Sequence, residues 1–317
     1  MIVCLPGLGQ SLTDLAEKGQ LARFVRYDLR AYVEAFAFAR DDIVPPVGVV
    51  YLSYDWRDDT RAPSVKHRLG LDQFGNACWV RTPPGPLHRW LWAALGPLWW
   101  RSVFRQDDLL GCRVLNASGA LPALVARLLY GLPYVLQLGY DAPAIARAHG
   151  HRARALGLRA LTRVAVRYAA GVVAAREDLP GVARARAGRV PVLVQGNGVD
   201  TTVFFPRLRP TAGGPFVVGY VGRLEPEKRL DRLIEAMAGM RARLMLVGDG
   251  SETWRLRKLA AACRVTDLDH RPVLPWAEVP DLLRQMDCFV LPSETEGSSK
   301  VLLEAMATGL PCIASPG

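Results

Sequence analysis

A chain of 317 residues, half of them hydrophobic and 22% charged, is too long for one ordinary domain and too apolar for a disordered or low-complexity chain, so it reads as two globular domains of roughly 150 residues each. No run free of Asp, Glu, Lys and Arg exceeds 13 residues, against the about 20 apolar residues that a membrane-spanning helix needs, so no span is expected. The net charge of +10 is lopsided, with +9 on residues 1–200 and +1 on residues 201–317; an acidic partner is therefore expected to meet the first half, although an Arg- and Ala-rich composition also follows from GC-rich coding.

The chain opens on Met1-Ile-Val-Cys-Leu-Pro-Gly-Leu-Gly9, a buried strand entering a glycine turn with no basic segment ahead of a long apolar one. It carries no secretory signature, and a cytoplasmic location is expected, at most peripheral at the inner face of the cell membrane. Gly7-Leu-Gly9-Gln-Ser11 lacks the third glycine of a dinucleotide fingerprint and no GxxxxGK[ST] loop exists, which argues against nicotinamide binding and nucleotide hydrolysis. Val47 to Leu52, Arg113 to Leu115, Tyr134 to Leu138, Gly171 to Ala174 and Val190 to Val194 are further strand candidates, separated by Ala/Leu/Arg-rich helical stretches. Between the first two, Leu87, Trp90, Leu91, Ala94, Leu95, Leu98 and Trp99 share one helical stripe flanked by Arg89, Arg101 and Arg105. Pro97 splits that stripe into at most two short helices; packing in the core or between domains is the favoured use, and contact with an anionic membrane the alternative. No interleaving of aromatic and basic residues supports a nucleic-acid partner. The six cysteines show no CxxC or Cys/His pairing and read as reduced core thiols, with neither a disulfide frame nor a zinc site.

Gln195-Gly-Asn-Gly-Val-Asp200, Phe204-Phe205-Pro206 and the Pro/Gly-rich stretch from Pro210 to Pro215 mark a linker, dividing the chain into domains 1–200 and 201–317. Beyond it the units are clear: a strand over Phe216 to Val221, a loop Gly222-Arg-Leu-Glu-Pro-Glu-Lys228, and a helix with Leu230, Leu233, Ile234 and Met237 on one face. A strand over Leu244 to Val247 then ends at Gly248-Asp249-Gly250 ahead of a second helix. Cys288 to Leu291 form a third strand, and Ser298 to Thr308 a helix closed by Gly309 and Pro311. Alternating strands and helices make an α/β fold with parallel sheets. Such sheets bind ligands at the carboxyl ends of their strands, so the cleft between the two domains is the expected active site.

Two constellations fall there. Arg223 and Lys228, at opposite ends of one loop after a strand, can both reach one anion, and a diphosphate suits an Arg fork paired with a Lys point charge. Glu296-Gly-Ser-Ser-Lys-Val-Leu-Leu-Glu304 follows another strand: Gly297 lets a ligand approach the backbone, Ser298 or Ser299 can cap the helix, and Glu304 near its second turn can accept from a vicinal diol. Asp267-Leu-Asp269 precedes a polar turn and makes no convincing Asp-x-Asp metal loop.

Asn197-Gly-Val-Asp200 with Phe204 and Pro206, Gly222-Arg-Leu with Lys228, Val247-Gly-Asp-Gly250, Pro292-Ser293 and Glu296-x7-Glu304-Ala-Met-Ala-x-Gly-x-Pro311 stand in the order and at roughly the spacings of the family-4 glycosyltransferases, which the chain resembles over residues 190–317 and, more weakly, through Gly119-Ala120, Gly131-Leu-Pro-Tyr-Val135 and Gly139-Tyr140-Asp141. The resemblance implies the GT-B fold: two Rossmann-like domains with parallel sheets facing across a cleft, the first on the acceptor side and the second binding the nucleotide sugar. The second is expected to be incomplete, because Gly317 stops where relatives continue with a last strand and terminal helices. It implies a retaining, metal-independent, hexosyltransferase-like enzyme with no cofactor beyond its nucleotide-sugar donor, acting on a saccharide or lipid-linked acceptor in cell-surface polysaccharide or glycolipid synthesis. Arg223 and Lys228 would neutralise the donor diphosphate, Glu304 hold the ribose, and Glu296 with the amides of Gly297, Ser298 and Ser299 hold the donor sugar. The histidine that many relatives carry after the strand Tyr134 to Leu138 is missing, the nearest being His149 and His151, which leaves Tyr140 or Asp141 for sugar contact or implies a different donor, with Asp141 as the candidate acceptor-side base. The rival readings are a catalytically silent binding or scaffold relative, and another GT-B enzyme such as a phosphorylase or a sugar-nucleotide epimerase.

Overall fold

A computed structural model describes residues 1–5, 12–17, 24, 49–52, 78–82, 89–106, 109–148, 150–206, 214–294, 296 and 298–315. The Gly7–Ser11 turn, Leu87, His149, Gly297 and the linker residues 207–213, all singled out above, lie outside the described residues.

The chain divides into two compact units, residues 1–196 and 197–317, four residues ahead of the boundary expected at 200. The reason is local. Asp200 closes a turn in which the amides of Val203 and Phe204 donate to its carbonyl, and this drives Phe204 fully into the second core. Asn197 belongs to the same unit, since its amide donates to Ser298 Oγ at 3.1 Å.

In the first unit seven parallel strands lie in the order β3-β2-β1-β4-β5-β6-β7. They are β1 (Ile2–Leu5), β2 (Val49–Leu52), β3 (Cys78–Arg81), β4 (Gly111–Val114), β5 (Tyr134–Leu138), β6 (Gly171–Ala174) and β7 (Val192–Val194). The described helices are α1 (Leu12–Glu17), α2 (Arg89–Trp99), α3 (Arg101–Phe104), α4 (Ala120–Tyr130), α5 (Ala142–Ala148), α6 (Arg152–Tyr168) and α7 (Pro180–Ala187). Val3, Leu5, Val114, Leu136 and Ala174 from the strands and Ala120, Ala126, Ala165 and Ala185 from the helices form one core. Small residues on the helices let them pack closely against the branched sheet surface.

The helical stripe around Trp99 is not buried in the core of its own unit, one of the two packings expected of it. Helix α2 runs unbroken through Pro97, and its buried face is Trp92, Ala93, Gly96 and Pro97. Trp92 packs on Trp100 at 4.8 Å between ring centroids, and the Tyr130 hydroxyl donates to Pro97 O at 2.8 Å. Pro97 sits in the last turn, where only one intrahelical bond is lost, so the helix carries it without being split there. Leu91, Leu95, Leu98 and Trp99 are left exposed, Trp99 at 62%.

The second unit holds five parallel strands in the order β10-β9-β8-β11-β12: β8 (Phe216–Val221), β9 (Ala242–Val247), β10 (Leu268–Arg271), β11 (Cys288–Leu291) and β12 (Cys312–Ala314). Helices α8 (Leu230–Ala236), α9 (Thr253–Ala262), α10 (Val279–Leu283) and α11 (Lys300–Ala307) cover it. Its core joins Val218, Tyr220, Leu244, Leu246, Phe289 and Leu291 to Leu230, Ile234, Leu256 and Leu283. Both sheets are α/β and parallel throughout, as the alternation of elements implies. Strand β10 escaped the periodicity because an edge strand reading Leu-Asp-His-Arg buries none of its residues fully. The Asp-x-Asp of that stretch is used in ion pairs, Asp267 with Arg243 at 2.9 Å and Asp269 with Arg271 at 2.7 Å.

Candidate functional site

The second sheet starts in its middle. From β8 the chain adds β9 and β10 on one side, then returns to add β11 and β12 on the other. Loops leaving the carboxyl ends of β8 and β11 therefore diverge, and that switch point is where open parallel sheets bind ligands. Lys228 comes from the loop after β8 and Glu296 from the loop after β11, and they meet with Nζ 2.5 Å from Oε1. Their side chains are 14% and 23% exposed, so the pair is largely shielded yet reachable from solvent. The Ser293 hydroxyl donates to the same Glu296 oxygen at 2.9 Å, and the Glu294 amide donates to Glu227 O at 2.9 Å. Side chains and backbone thus lock the two loops together.

A third loop braces them. The amide of Gly222 donates to Val247 O, that of Leu224 to Asp249 O, and that of Glu252 to Leu224 O, at 2.9 to 3.0 Å. The backbones approach so closely that a Cβ on Gly248 would stand 1.9 Å from Gly222 O, and one on Gly250 would stand 2.2 Å from Leu224 O. Gly248 also has φ +134°, a region open in practice to glycine alone. Beneath the loop, Tyr220 is buried and its hydroxyl donates to Arg223 O at 2.9 Å. Burial pushes the Tyr220 phenol well above its ordinary pKa and the nearby Glu296 charge raises it further, so it stays a donor at any physiological pH. Asp249 is held below the usual carboxylate range by the Thr253 hydroxyl and the Gly250 amide, and closes the glycine turn as an ionised acceptor.

Several expected site residues behave differently from one another. Arg223 is on the same loop as Lys228, but its guanidinium is mostly exposed and lies 3.1 Å from Glu227 Oε1. Each cation of the expected pair thus has its own carboxylate. Ser298 and Ser299 were expected to cap α11; neither side chain does so. Ser299 occupies the N-cap position with no side-chain bond, while Ser298 Oγ receives the Asn197 amide and Ser298 O the Asn197 side chain. The first-turn amides of α11 consequently carry no serine cap. Glu304, expected to face the cleft as an acceptor for a vicinal diol, is 2% exposed, and its Oε1 accepts from Trp276 Nε1 at 3.2 Å. Trp276 in turn rests on Phe204 at 5.6 Å, so the linker turn at Asp200 helps to position Glu304.

Asp141 lies in the first unit, in the loop after β5, where its Oδ1 accepts the Ala144 amide at 3.1 Å and opens helix α5. It also lines a cavity with Asn116, Tyr140 and Arg184. Ser293, Tyr220 and Trp276 went unassigned in the sequence. Ser293 follows directly on β11 and had a positional signal, whereas Trp276, 28 residues from Glu304, had none.

Residues 206–317 match the family described as glycosyl transferases group 1. The matching segment contains all of β8 to β12 and both loops that bring Lys228 and Glu296 together. Over 195 residues the chain is 34% identical to the GDP-mannose-dependent alpha-mannosyltransferase of Mycobacterium tuberculosis, an alignment covering 58% of this chain and 49% of the relative. The chain spans about half the length of the curated relatives it matches. Among solved structures it resembles sucrose-phosphate synthase from Thermosynechococcus elongatus, with TM-score 0.74 and 16% identity over all of this chain and 81% of that one. It also resembles Anabaena HepE, solved in complex with UDP and glucose, with TM-score 0.67 and 18% identity over all of this chain and 80% of that one. At such identities the likeness concerns the fold, that of GT-B glycosyltransferases.

Proposed function

We propose that the chain is the core of a retaining glycosyltransferase that moves a sugar from a nucleoside-diphosphate sugar to an acceptor hydroxyl in the synthesis of a cell-surface polysaccharide or glycolipid. The observation that carries this reading is the Lys228–Glu296 pair at the switch point of the second sheet, on the same loop as Arg223 and ahead of α11. As the donor's glycosidic bond breaks, negative charge grows on the leaving diphosphate and the sugar becomes oxocarbenium-like. Fixed cations on one side and carboxylate on the other stabilise both developments, without a metal ion being required. Arg223 and Lys228 take the diphosphate. Glu296, oriented by Ser293 and Lys228, faces the donor sugar together with the amides of Ser298 and Ser299, and Glu304 takes the ribose once the Trp276 indole that now covers it turns aside.

A nucleotide-sugar assay tests this reading, with GDP-mannose and UDP-glucose as the first donors because a relative and a fold neighbour bear those names. Release of the nucleoside diphosphate, by transfer to an acceptor or by slow hydrolysis, is the expected result. Binding of the diphosphate with no turnover of any donor favours a silent scaffold. Dependence on free phosphate favours a phosphorylase, and turnover without an acceptor to an epimeric nucleotide sugar favours an epimerase.

The exposed face of α2 supports a peripheral membrane position for the acceptor-side domain. Leu91, Leu95, Leu98 and Trp99 stand out from the surface next to exposed Arg101 and Arg105, a combination suited to an anionic interface. Among the described residues no helix is long and apolar enough to cross a membrane. Co-sedimentation with phosphatidylglycerol vesicles is expected to fall several-fold in a Leu95→Glu, Trp99→Glu double variant; equal sedimentation removes the membrane contact from the account.

A further inference from the structure

The first sheet has its own switch point, between β1 and β4, and Asn116 stands in the loop directly after β4. Beside it is a cavity walled from three successive strand ends: Asn116 and Ala117 after β4, Leu138 at the end of β5 with its loop to Asp141, and Leu179 with the start of α7 to Arg184 after β6. Its floor is apolar, from Leu138 and Leu179, and a Cβ on Gly181 would stand 2.3 Å from Leu138 Cδ1, so glycine there sets how closely α7 approaches β5.

Three polar side chains line this cavity without being used up by the fold. Asn116 is 8% exposed, and its Oδ1 accepts the Ser118 amide at 2.9 Å, which fixes the amide orientation and leaves Nδ2 with no protein partner among the described residues. Arg184 is half-buried, and no carboxylate among the described residues pairs with it, whereas Arg176 and Arg186 nearby are both engaged by Asp178 and Glu177. Asp141 lines the cavity as well, and its Oδ1 accepts the Ala144 amide at 3.1 Å. A buried amide donor, an unpaired guanidinium and a carboxylate around an apolar floor match a ligand that carries both an anion and hydroxyls. A neutral ligand would leave Arg184 desolvated without compensation. The first turn of α7 borders the same space and adds favourable potential for an anion.

We propose that this cavity is the acceptor subsite and that the acceptor is anionic: Arg184 takes a phosphate or carboxylate group of the acceptor, while Asn116 and Asp141 take its hydroxyls. The assignment of the bound molecule as acceptor rests on the transferase reading.

Calorimetric titration of the full chain with glucose, glucose 6-phosphate, glucuronate and inorganic phosphate tests it. One of the two anionic sugars is expected to bind about tenfold or more tightly than glucose, and which one does so identifies the anion as phosphate or carboxylate. Arg184→Gln is expected to abolish that preference while leaving glucose binding unchanged, and Arg184→Lys to restore part of it. Equal affinity for glucose and both anionic sugars, a preference that survives Arg184→Gln, or inorganic phosphate binding as tightly as the sugar phosphate would overturn the proposal. Titration of the same samples with a nucleoside diphosphate separates the two readings. Arg184→Gln should leave that affinity as it is; a loss there would reassign Arg184 to the donor, and no diphosphate binding by the native chain would bring down the transferase reading itself.

Discussion

Glu296→Gln is expected to lower turnover by about a hundredfold or more while changing the affinity for a nucleoside diphosphate only modestly. The substitution keeps the shape of the side chain and its bond from Ser293 but removes the charge that Lys228 holds at 2.5 Å. An acceptor-rich wall matters most when the donor sugar gains positive charge, so its loss falls on the rate and not on ground-state binding. Steady-state kinetics with the preferred donor read both quantities. A variant with native turnover and weakened donor binding would place Glu296 among binding groups only. Because Lys228 and Glu296 share one ion pair, their substitutions are expected to be non-additive, and a double-mutant cycle should return a coupling of about 1 kcal/mol or more.

Gly248→Ala is expected to destabilise the second domain by about 3–5 kcal/mol, lowering its melting temperature by about 10 °C or more. Two effects act in the same direction. A side chain at φ +134° is strained whatever the space around it, and here the added carbon would meet Gly222 O at 1.9 Å. The obstacle is backbone, so it moves only if the loops after β8 and β9 separate, with loss of the bonds from Gly222 to Val247 and from Leu224 to Asp249. Gly219→Ala is a useful contrast: its Cβ would meet the Met286 side chain at 2.1 Å, and a methionine can swing aside at smaller cost. Thermal unfolding followed by circular dichroism compares them. Equal melting temperatures for native and Gly248→Ala protein would mean that the two loops are not in contact.

The parts of the fold that the sequence made legible are those where an apolar run ends at a glycine or a proline. Phe216 to Val221 before Gly222, the run up to Val247 before Gly248, and Cys288 to Leu291 before Pro292 all stand as strands with their loops at the carboxyl ends. Edge strands were illegible because half-exposed positions admit Asp269, His270 and Arg271 and erase the alternation. The face of α2 was misjudged for a related reason. A stripe of Leu and Trp states that a surface is apolar but not what covers it, and here Trp100 and Tyr130 claim the opposite face. At the site, residue types and spacing brought Arg223, Lys228, Glu296 and Glu304 to one sheet. That Lys228 and Glu296 form a direct pair across 68 residues, and that Glu304 is closed off beneath Trp276, depend on tertiary packing with no local trace.

The account turns on Lys228 being a phosphate-binding cation. Isothermal titration of the native chain and Lys228→Ala with GDP and with UDP tests this most directly. The expected result is a loss of tenfold or more in affinity for the nucleotide that the native protein prefers, about 1.4 kcal/mol, with the preference between nucleotides unchanged. Equal affinity in the two proteins would contradict it and leave the Lys228–Glu296 pair a structural clasp.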